Sequence, residues 1–441
     1  MTYHPMDPAH QLLHVWLISG EKVISLPEEE LTDVLSLKRH LQTLCGMPRF
    51  RQRLLHEGTP LADDVKLGSF IKDIQLLLLP FAHMSHEQTT ELQQSLNDGR
   101  MKFVEDMLLL PADPNSTLNR PYSQLCFAAA HGHEEMVRLL VEARSALYPD
   151  ALCEACRNGD VQIVSFLLGA GAETDSVSDQ GTPLTWAAAG DSDRHVQIVE
   201  MLLGARADLN KTDADLYTPL ASAVEFGCAE LVHVLLAARA DTGTLCSESQ
   251  QTPLCLAAEE GWVPKVRLLL EAGADIERIS AGQTPLTTAV AAGEAEVVQI
   301  LIDFGASLDK VDDRMYTPLT QALWCSNTDL VHLLLLGRAD ADMPCPYTGK
   351  TPLCMAAGTG RAEMVTLLLV ARADKDKSSA QGTPLTLAAS AGRLEIVRLL
   401  IIAGVELEKV DSWKYTPLAR ALEGNHTEVV RLLSMAEAHR F

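Results

Sequence analysis

Residues 284–310 read TPLTTAVAAGEAEVVQILIDFGASLDK, and the chain is built from copies of this stretch. Thr-Pro-Leu-x-x-Ala occurs eight times, starting at Thr182, Thr218, Thr252, Thr284, Thr317, Thr351, Thr383 and Thr416. The steps between copies are 36, 34, 32, 33, 34, 32 and 33 residues. A fixed period of this length means one supersecondary unit stacked many times, each contacting only its neighbours. Such a stack offers a long binding surface rather than a catalytic pocket.

Within the quoted copy, threonine before proline predicts a helix start. The hydroxyl caps a free backbone N–H, and proline suits the first helical position. Leu286 and Ala289 fall on one face, the small alanine permitting close approach of a neighbour, and Gly293 ends the helix. A second helix follows with Val297, Val298, Ile300, Leu301 and Ile302 as its apolar surface. Gly305 supplies a left-handed stop, and an Asp-containing turn leads to the next copy. Two short helices and a hairpin-like finger cannot bury their apolar faces alone, so stacking is obligatory.

Together with the Ala pair, Gly before helix two, Val-x-x-Leu-Leu and Gly273-Ala274-Asp275, this pattern resembles the ankyrin repeat. The histidine the family commonly places after Thr-Pro-Leu is absent. Thr185, Ala221, Cys255, Thr287, Thr320, Cys354, Thr386 and Ala419 stand there, which implies the loss of an inter-repeat hydrogen bond. Weaker copies precede the eight. Ser123-Gln124-Leu125 and Ala151-Leu152 open two of them, and Thr90-Glu91-Leu92 with Ser95 reads as a polar starting cap. The last copy runs into the hydrophilic SMAEAHRF. The count is about eleven units, an α-helical solenoid on the order of 100 Å long with layers about 8–10 Å apart.

Three units at a time also repeat at an offset of 99 residues. Lys211, Asp213 and Tyr217 recur as Lys310, Asp312 and Tyr316, then as Lys409, Asp411 and Tyr415. Leu231-Val232-His233 recurs as Leu330-Val331-His332, and Cys246 and Cys255 recur as Cys345 and Cys354. A copied three-repeat block accounts for these, and for four of the ten cysteines, without a disulfide framework. Inheritance of the block is the plain explanation of the tyrosine spacing; anchors that grip an extended partner at intervals are the functional one.

A net charge of −23 argues against binding nucleic-acid backbones. No apolar run approaches the ~20 residues needed to span a bilayer, and MTYHPMDPAH lacks a signal pattern. Unpaired cysteines fit a reducing compartment. The expectation is a cytoplasmic protein, with the nucleus as the other possible compartment, and a monomer without membrane insertion.

Residues 12–81 break the period. VWLISGEKVISLP alternates around a turn as a hairpin would, LTDVLSLKRHLQTLCG is an amphipathic helix ending at Gly46, and short strands follow. The order strand, strand, helix, strand, short strand, strand resembles the ubiquitin-like β-grasp. Gly46-Met47-Pro48 is similar to that family's Gly-Ile-Pro, and Gln52-Arg53-Leu54-Leu55-His56-Glu57-Gly58 to its following strand and turn. Thr59-Pro60-Leu61 is a decoy that falls in the turn. The resemblance implies a recognition patch at Ile18, Leu55 and Leu77; the plainer reading makes them core of a small α+β domain or packing against the first repeat. The expected organisation is a flexible tail 1–11, a ubiquitin-like domain 12–81, a linker 82–89 and an ankyrin array 90–441.

No phosphate loop, nucleophile elbow or kinase signature is present. Cys153-x-x-Cys156 has no second pair at metal-binding spacing and reads as buried small side chains. His131 and His133 read as surface polarity. The chain is therefore expected to have no catalytic residue, metal or cofactor. Arg144, Arg206, Arg239, Arg338 and Arg372 replace the glycine after helix two. A left-handed arginine costs about 1 kcal/mol, and a cation at a helix C-terminus offsets about 0.3–1 of it.

Recognition is sought at the finger residue before Thr and at the end of helix one: Tyr217, Phe226, Tyr316, Trp324, Tyr415, Glu225, Glu259, Glu260 and Glu423, with Trp413 at a fingertip. Exposed aromatics dominate interface energetics, although packing against the adjacent finger also explains each. The reading is a non-catalytic scaffold or adaptor whose repeats hold a client protein. Its ubiquitin-like domain would engage a second partner, which the resemblance places in the ubiquitin–proteasome system. The alternatives are a regulatory module masking a basic segment of an enzyme or channel, and an anchor whose N-terminal domain docks rigidly on the repeats.

Overall fold

The computed structural model describes residues 12–438 except 28–30, 68–70, 83, 116–122, 146–148, 179–180 and 246–249. The segment read as a tail (1–11) and Cys246 lie outside the described residues. The chain divides into two compact units, Met1–Asp208 and Leu209–Phe441.

The first unit opens with a five-stranded sheet. Strands β1 (Leu12–Leu17), β2 (Lys22–Pro27), β3 (Gln52–His56), β4 (Thr59–Pro60) and β5 (Asp73–Leu78) lie in the order β2-β1-β5-β3-β4. The central β1–β5 pair is parallel and its neighbours are antiparallel. Helix α1 (Val34–Cys45) covers one face, capped by Asp33 at its start and by Gly46 in the left-handed conformation (φ 69°) at its end. Alternation along the strands sends Leu13, Val15, Leu54, Ile74 and Leu76 inward against Val34, Leu37 and Leu41. Thr59 and Pro60 are a short strand paired with His56 and Leu55, not part of the turn; the turn is Glu57-Gly58, at φ 51° and 78°.

Helix α2 (His86–Asn97) begins inside the segment read as a linker. Ser85, not Thr90, caps it, exchanging hydrogen bonds with Gln88. At 12 residues it is longer than the first helices of later repeats, such as Pro285–Ala292 with 8 residues. From Thr182 onward the helices alternate short and longer. Thr182, Thr218, Thr252, Thr284, Thr317, Thr351, Thr383 and Thr416 are each the N-cap of a first helix with proline behind them.

Where the position vacated by histidine carries a polar side chain, two uses are seen. Thr185, Thr287 and Thr320 close a capping box, as where Thr284 N donates to Thr287 Oγ1 at 2.9 Å and Thr287 N donates to Thr284 Oγ1 at 3.1 Å. Cys354 instead reaches the next finger, its thiol 3.6 Å from the Gly382 carbonyl. The fingers are further tied by carboxylates. Asp309, Asp342 and Asp376 each accept the backbone N–H of the following finger, from Asp340, Asp374 and Glu406, at 2.8 Å. The loss of histidine therefore does not leave the fingers unlinked, because acidic side chains bridge them.

Arg144, Arg206, Arg239, Arg338 and Arg372 adopt φ of 62°, 66°, 69°, 73° and 64°. Two histidines near helix ends also link repeats: His133 Nε2 is 3.2 Å from the Asn97 carbonyl and His426 Nε2 is 3.0 Å from that of Ser390, while His131 is exposed. No helix is long and apolar enough to cross a membrane among the described residues.

Candidate functional site

The 99-residue recurrence of Asp and Tyr builds one finger three times in the second unit. Asp213 donates its backbone N–H to the Tyr217 carbonyl at 3.0 Å, and its Oδ1 accepts the Tyr217 N–H at 2.8 Å. Asp312 with Tyr316 and Asp411 with Tyr415 repeat both bonds. The residue before each tyrosine, Leu216, Met315 or Lys414, turns left-handed (φ 66°, 65°, 63°) to close the loop. Lys310 and Lys409 reach back to the carbonyls of Glu277 and Asp376 at 2.5 and 2.7 Å. Much of the recurrence is thus finger closure.

The three tyrosines differ in what they touch. Tyr217 packs against Phe226 with centroids 5.8 Å apart. Tyr316 lies between Trp324 at 6.0 Å and Tyr347 at 5.7 Å. Tyr415 and Trp413 flank the Arg420 guanidinium, 4.3 and 5.1 Å from their rings. Packing and exposure coexist here: Phe226, Trp324 and Trp413 are 55, 60 and 60% exposed. Glu259 and Glu260 are exposed and Glu225 half-buried. Close by, Lys265 is buried, donating to the Val224 carbonyl at 2.5 Å and lying 4.2 Å from the Trp262 ring centroid. Burial lowers the Lys265 pKa.

Two adjoining cavities open beside these aromatics and share Gln381, Leu387 and Ser390. One, of about 540 Å³, is lined by Leu323, Trp324, Lys350, Met355 and Arg361 among others. The second, of about 450 Å³, is lined by Asp411, Trp413, Tyr415, Arg420 and Glu423. Aromatic walls with a few placed charges suit a peptide or loop carrying both apolar and polar groups.

Burial gives the three finger carboxylates different acidities. It raises the pKa of Asp312, whose Oδ2 is buried without a hydrogen-bond partner, and also that of Asp213. Asp411 is equally enclosed, and burial again pushes it up, but hydrogen bonds from the Tyr415 N–H and Arg420 hold it below its ordinary value. Arg420 Nε is 2.7 Å from Asp411 Oδ2. Sequence reading missed Arg420, Tyr347, Lys350 and Arg361. The signal for Arg420 was present, since it stands four residues after Thr416 where the other tyrosine-bearing repeats place Ser222 and Gln321.

In the first unit, Ile18 follows β1 and is 56% exposed, whereas Leu55 and Leu77 are half-buried. The last two alternate with inward Leu54 and Leu76, so they lie on the sheet face away from α1. The junction with the repeats centres on Arg49, only 4% exposed. Its Nη2 donates to Glu105 at 3.1 Å, Nε lies 2.8 Å from Glu142 in an ion pair whose angle is not that of a hydrogen bond, and Nη1 is 3.5 Å from Asp63. Gln42 donates to the Glu142 carbonyl at 3.2 Å, and Ala82 bridges to Ala112.

Cys126 and Cys153 are buried, and burial pushes their thiols up to about 12. Cys156 is raised for the same reason. That is opposite to the shift that activates a nucleophile. Among the described residues no group of three His, Cys, Asp or Glu is arranged to hold a metal.

A sequence profile described as ankyrin repeats (3 copies) matches overlapping segments from residue 92 to residue 439. The chain belongs to the ankyrin-repeat family, whose repeats are protein-interaction modules. It is 30% identical over 149 residues to the ankyrin repeat and KH domain-containing protein mask-1 of Caenorhabditis elegans, covering 32% of this chain and 5% of that protein. It is 30% identical over 194 residues to the ankyrin repeat domain-containing protein SAT10 of Stachybotrys chartarum, covering 43% and 10%. Alpha-latrotoxin-Lg1a of Latrodectus geometricus matches at 30% over 106 residues, covering 24% and 8%. The chain thus spans a tenth or less of these relatives.

Proposed function

We propose that this protein is a non-catalytic cytoplasmic adaptor whose second unit holds a client protein along the fingers and first helices. The observation that carries this reading is the pair of adjoining cavities walled by Trp324, Trp413 and Tyr415, with Lys350, Arg361 and Arg420 among their lining residues. These cations disfavour the alternative in which the same face masks a basic segment. Placement in the cytoplasm rests on the free cysteines, among them buried Cys126, Cys153, Cys156, Cys255, Cys345 and Cys354.

The N-terminal sheet and helix support the reading of residues 12–81 as a ubiquitin-like domain, with Ile18, Leu55 and Leu77 forming a patch for a second partner in the ubiquitin–proteasome system. Docking through Arg49 uses α1 and the segment after it, on the side opposite Leu55 and Leu77. An anchored domain and an available patch are therefore compatible.

Affinity capture from cell extract with the full chain, followed by mass spectrometry, tests both halves. Trp324→Ala with Trp413→Ala should remove one set of captured proteins at an unchanged melting temperature, and Ile18→Glu a different set. Identical captures with all three proteins would refute the assignment.

A further inference from the structure

The second helices of three consecutive repeats, α3 (Thr328–Leu336), α4 (Ala362–Val370) and α5 (Leu394–Ile402), pack side by side. Each ends on an aliphatic side chain open to solvent, with Leu336, Val370 and Ile402 exposed by 67, 76 and 76%. All three stand 19 residues after their threonine, at Thr317, Thr351 and Thr383. The three preceding repeats place Ala237, Glu271 and Asp303 there, so the repeat pattern does not require an apolar residue. Half-buried Leu333, Leu367 and Leu399, one turn earlier, widen the row. Aliphatic side chains exposed at the same position on three adjacent helices are a mark of an interaction surface.

Cations border it. Arg338 and Arg372 stand two residues beyond Leu336 and Val370, and Arg398 stands four before Ile402; all are exposed. Among the described residues none of the three makes an ion pair. The nearby Asp340, Asp342 and Asp374 accept backbone N–H groups of the fingers. The acidic residues of these helices, Asp329, Glu363 and Glu395, sit in the first turn, about 10 Å of helix rise from the apolar row.

We propose that this second-helix face docks an amphipathic α-helix of a protein partner. Its apolar ridge crosses Leu336, Val370 and Ile402, and its carboxylates line the side facing Arg338 and Arg372. The repeat step of about 8–10 Å matches residues seven apart on a helix, which recur every ~10.5 Å on nearly one face. A strand does not match, because its same-face residues recur every ~7 Å. A second copy of this chain, at −23, is disfavoured by mutual repulsion, and so is an anionic membrane. The surface is separate from the cavities assigned above to the client.

The test uses the full chain and a fluorescent helical peptide with leucines at heptad spacing, glutamates along one flank and alanine elsewhere. Fluorescence anisotropy should show micromolar binding. Val370→Asp with Ile402→Asp should weaken it by about tenfold or more, since each loses a buried aliphatic contact, at an unchanged melting temperature. Arg338→Glu with Arg372→Glu should reverse the preference between this peptide and one with lysines for glutamates. Trp324→Ala with Trp413→Ala should leave the titration unchanged, which separates this surface from the client site. Equal affinity in the aspartate variant would overturn the proposal. So would sedimentation of the wild type as a dimer that Val370→Asp splits, or binding to phosphatidylserine vesicles without binding to the peptide.

Discussion

Arg49 and Arg420 are assembled from the same parts in two regions of the molecule. Each guanidinium stacks on an aromatic ring, Phe50 at 4.0 Å and Tyr415 at 4.3 Å, and each meets carboxylates. Arg49 is sealed between the N-terminal sheet domain and the first repeats, against Asp63, Glu105 and Glu142. Arg420 borders an open cavity, pairing with buried Asp411 and exposed Glu423. Burial decides what each can do. An enclosed cation holds structure together because its own side chain fills the junction and joins carboxylates from separate segments, whereas an accessible one keeps a face free for a partner.

The largest expected effect is at the sealed site. Arg49→Ala should cost about 2–4 kcal/mol, because it empties a sealed site and removes the cation shared by three partly exposed carboxylates, read as a lower urea midpoint. Arg420→Ala should cost less, about 1–3 kcal/mol, because only Asp411 is left buried without its donor. Equal losses would break the comparison.

Acid titration sharpens it further. Asp411 is held below its ordinary pKa, so its contribution is complete above the ordinary carboxylate value and is lost as pH falls through its folded value. Asp312 is raised, so the folded state binds its proton more tightly and stability falls as pH rises from the ordinary value through the raised one. Asp411→Asn should therefore weaken the acid-side loss, and Asp312→Asn should remove the opposing trend. Melting temperatures across the acidic range check this, and shifts of the same sign in both variants would contradict it.

Arg338 is a third kind of arginine, unpaired and left-handed. Arg338→Gly relieves backbone strain of about 1 kcal/mol and forfeits about 0.3–1 kcal/mol of helix-terminus attraction. A melting temperature within a degree or two of wild type is expected, and a large drop would mean that the side chain is tied into the fold.

Thr-Pro-Leu-x-x-Ala at a period near 33 determined the architecture by itself, because capping, proline placement and glycine or arginine stops are local chemistry written inside each copy. The order of strands and helix in residues 12–81 was legible for the same reason, through alternation and a capped amphipathic run, although the short strand at Thr59-Pro60 reads as turn. The three finger tyrosines were also readable as a set, since they recur every 99 residues. What each aromatic touches was not. Tyr217, Tyr316 and Tyr415 share one finger, yet Phe226, Tyr347 and Arg420 make their surroundings different. The carboxylate links between fingers and the Arg49 junction join residues about 30 to 100 positions apart. Only tertiary structure decides these, because the energy of a charge or a ring depends on which partners remain when water is excluded.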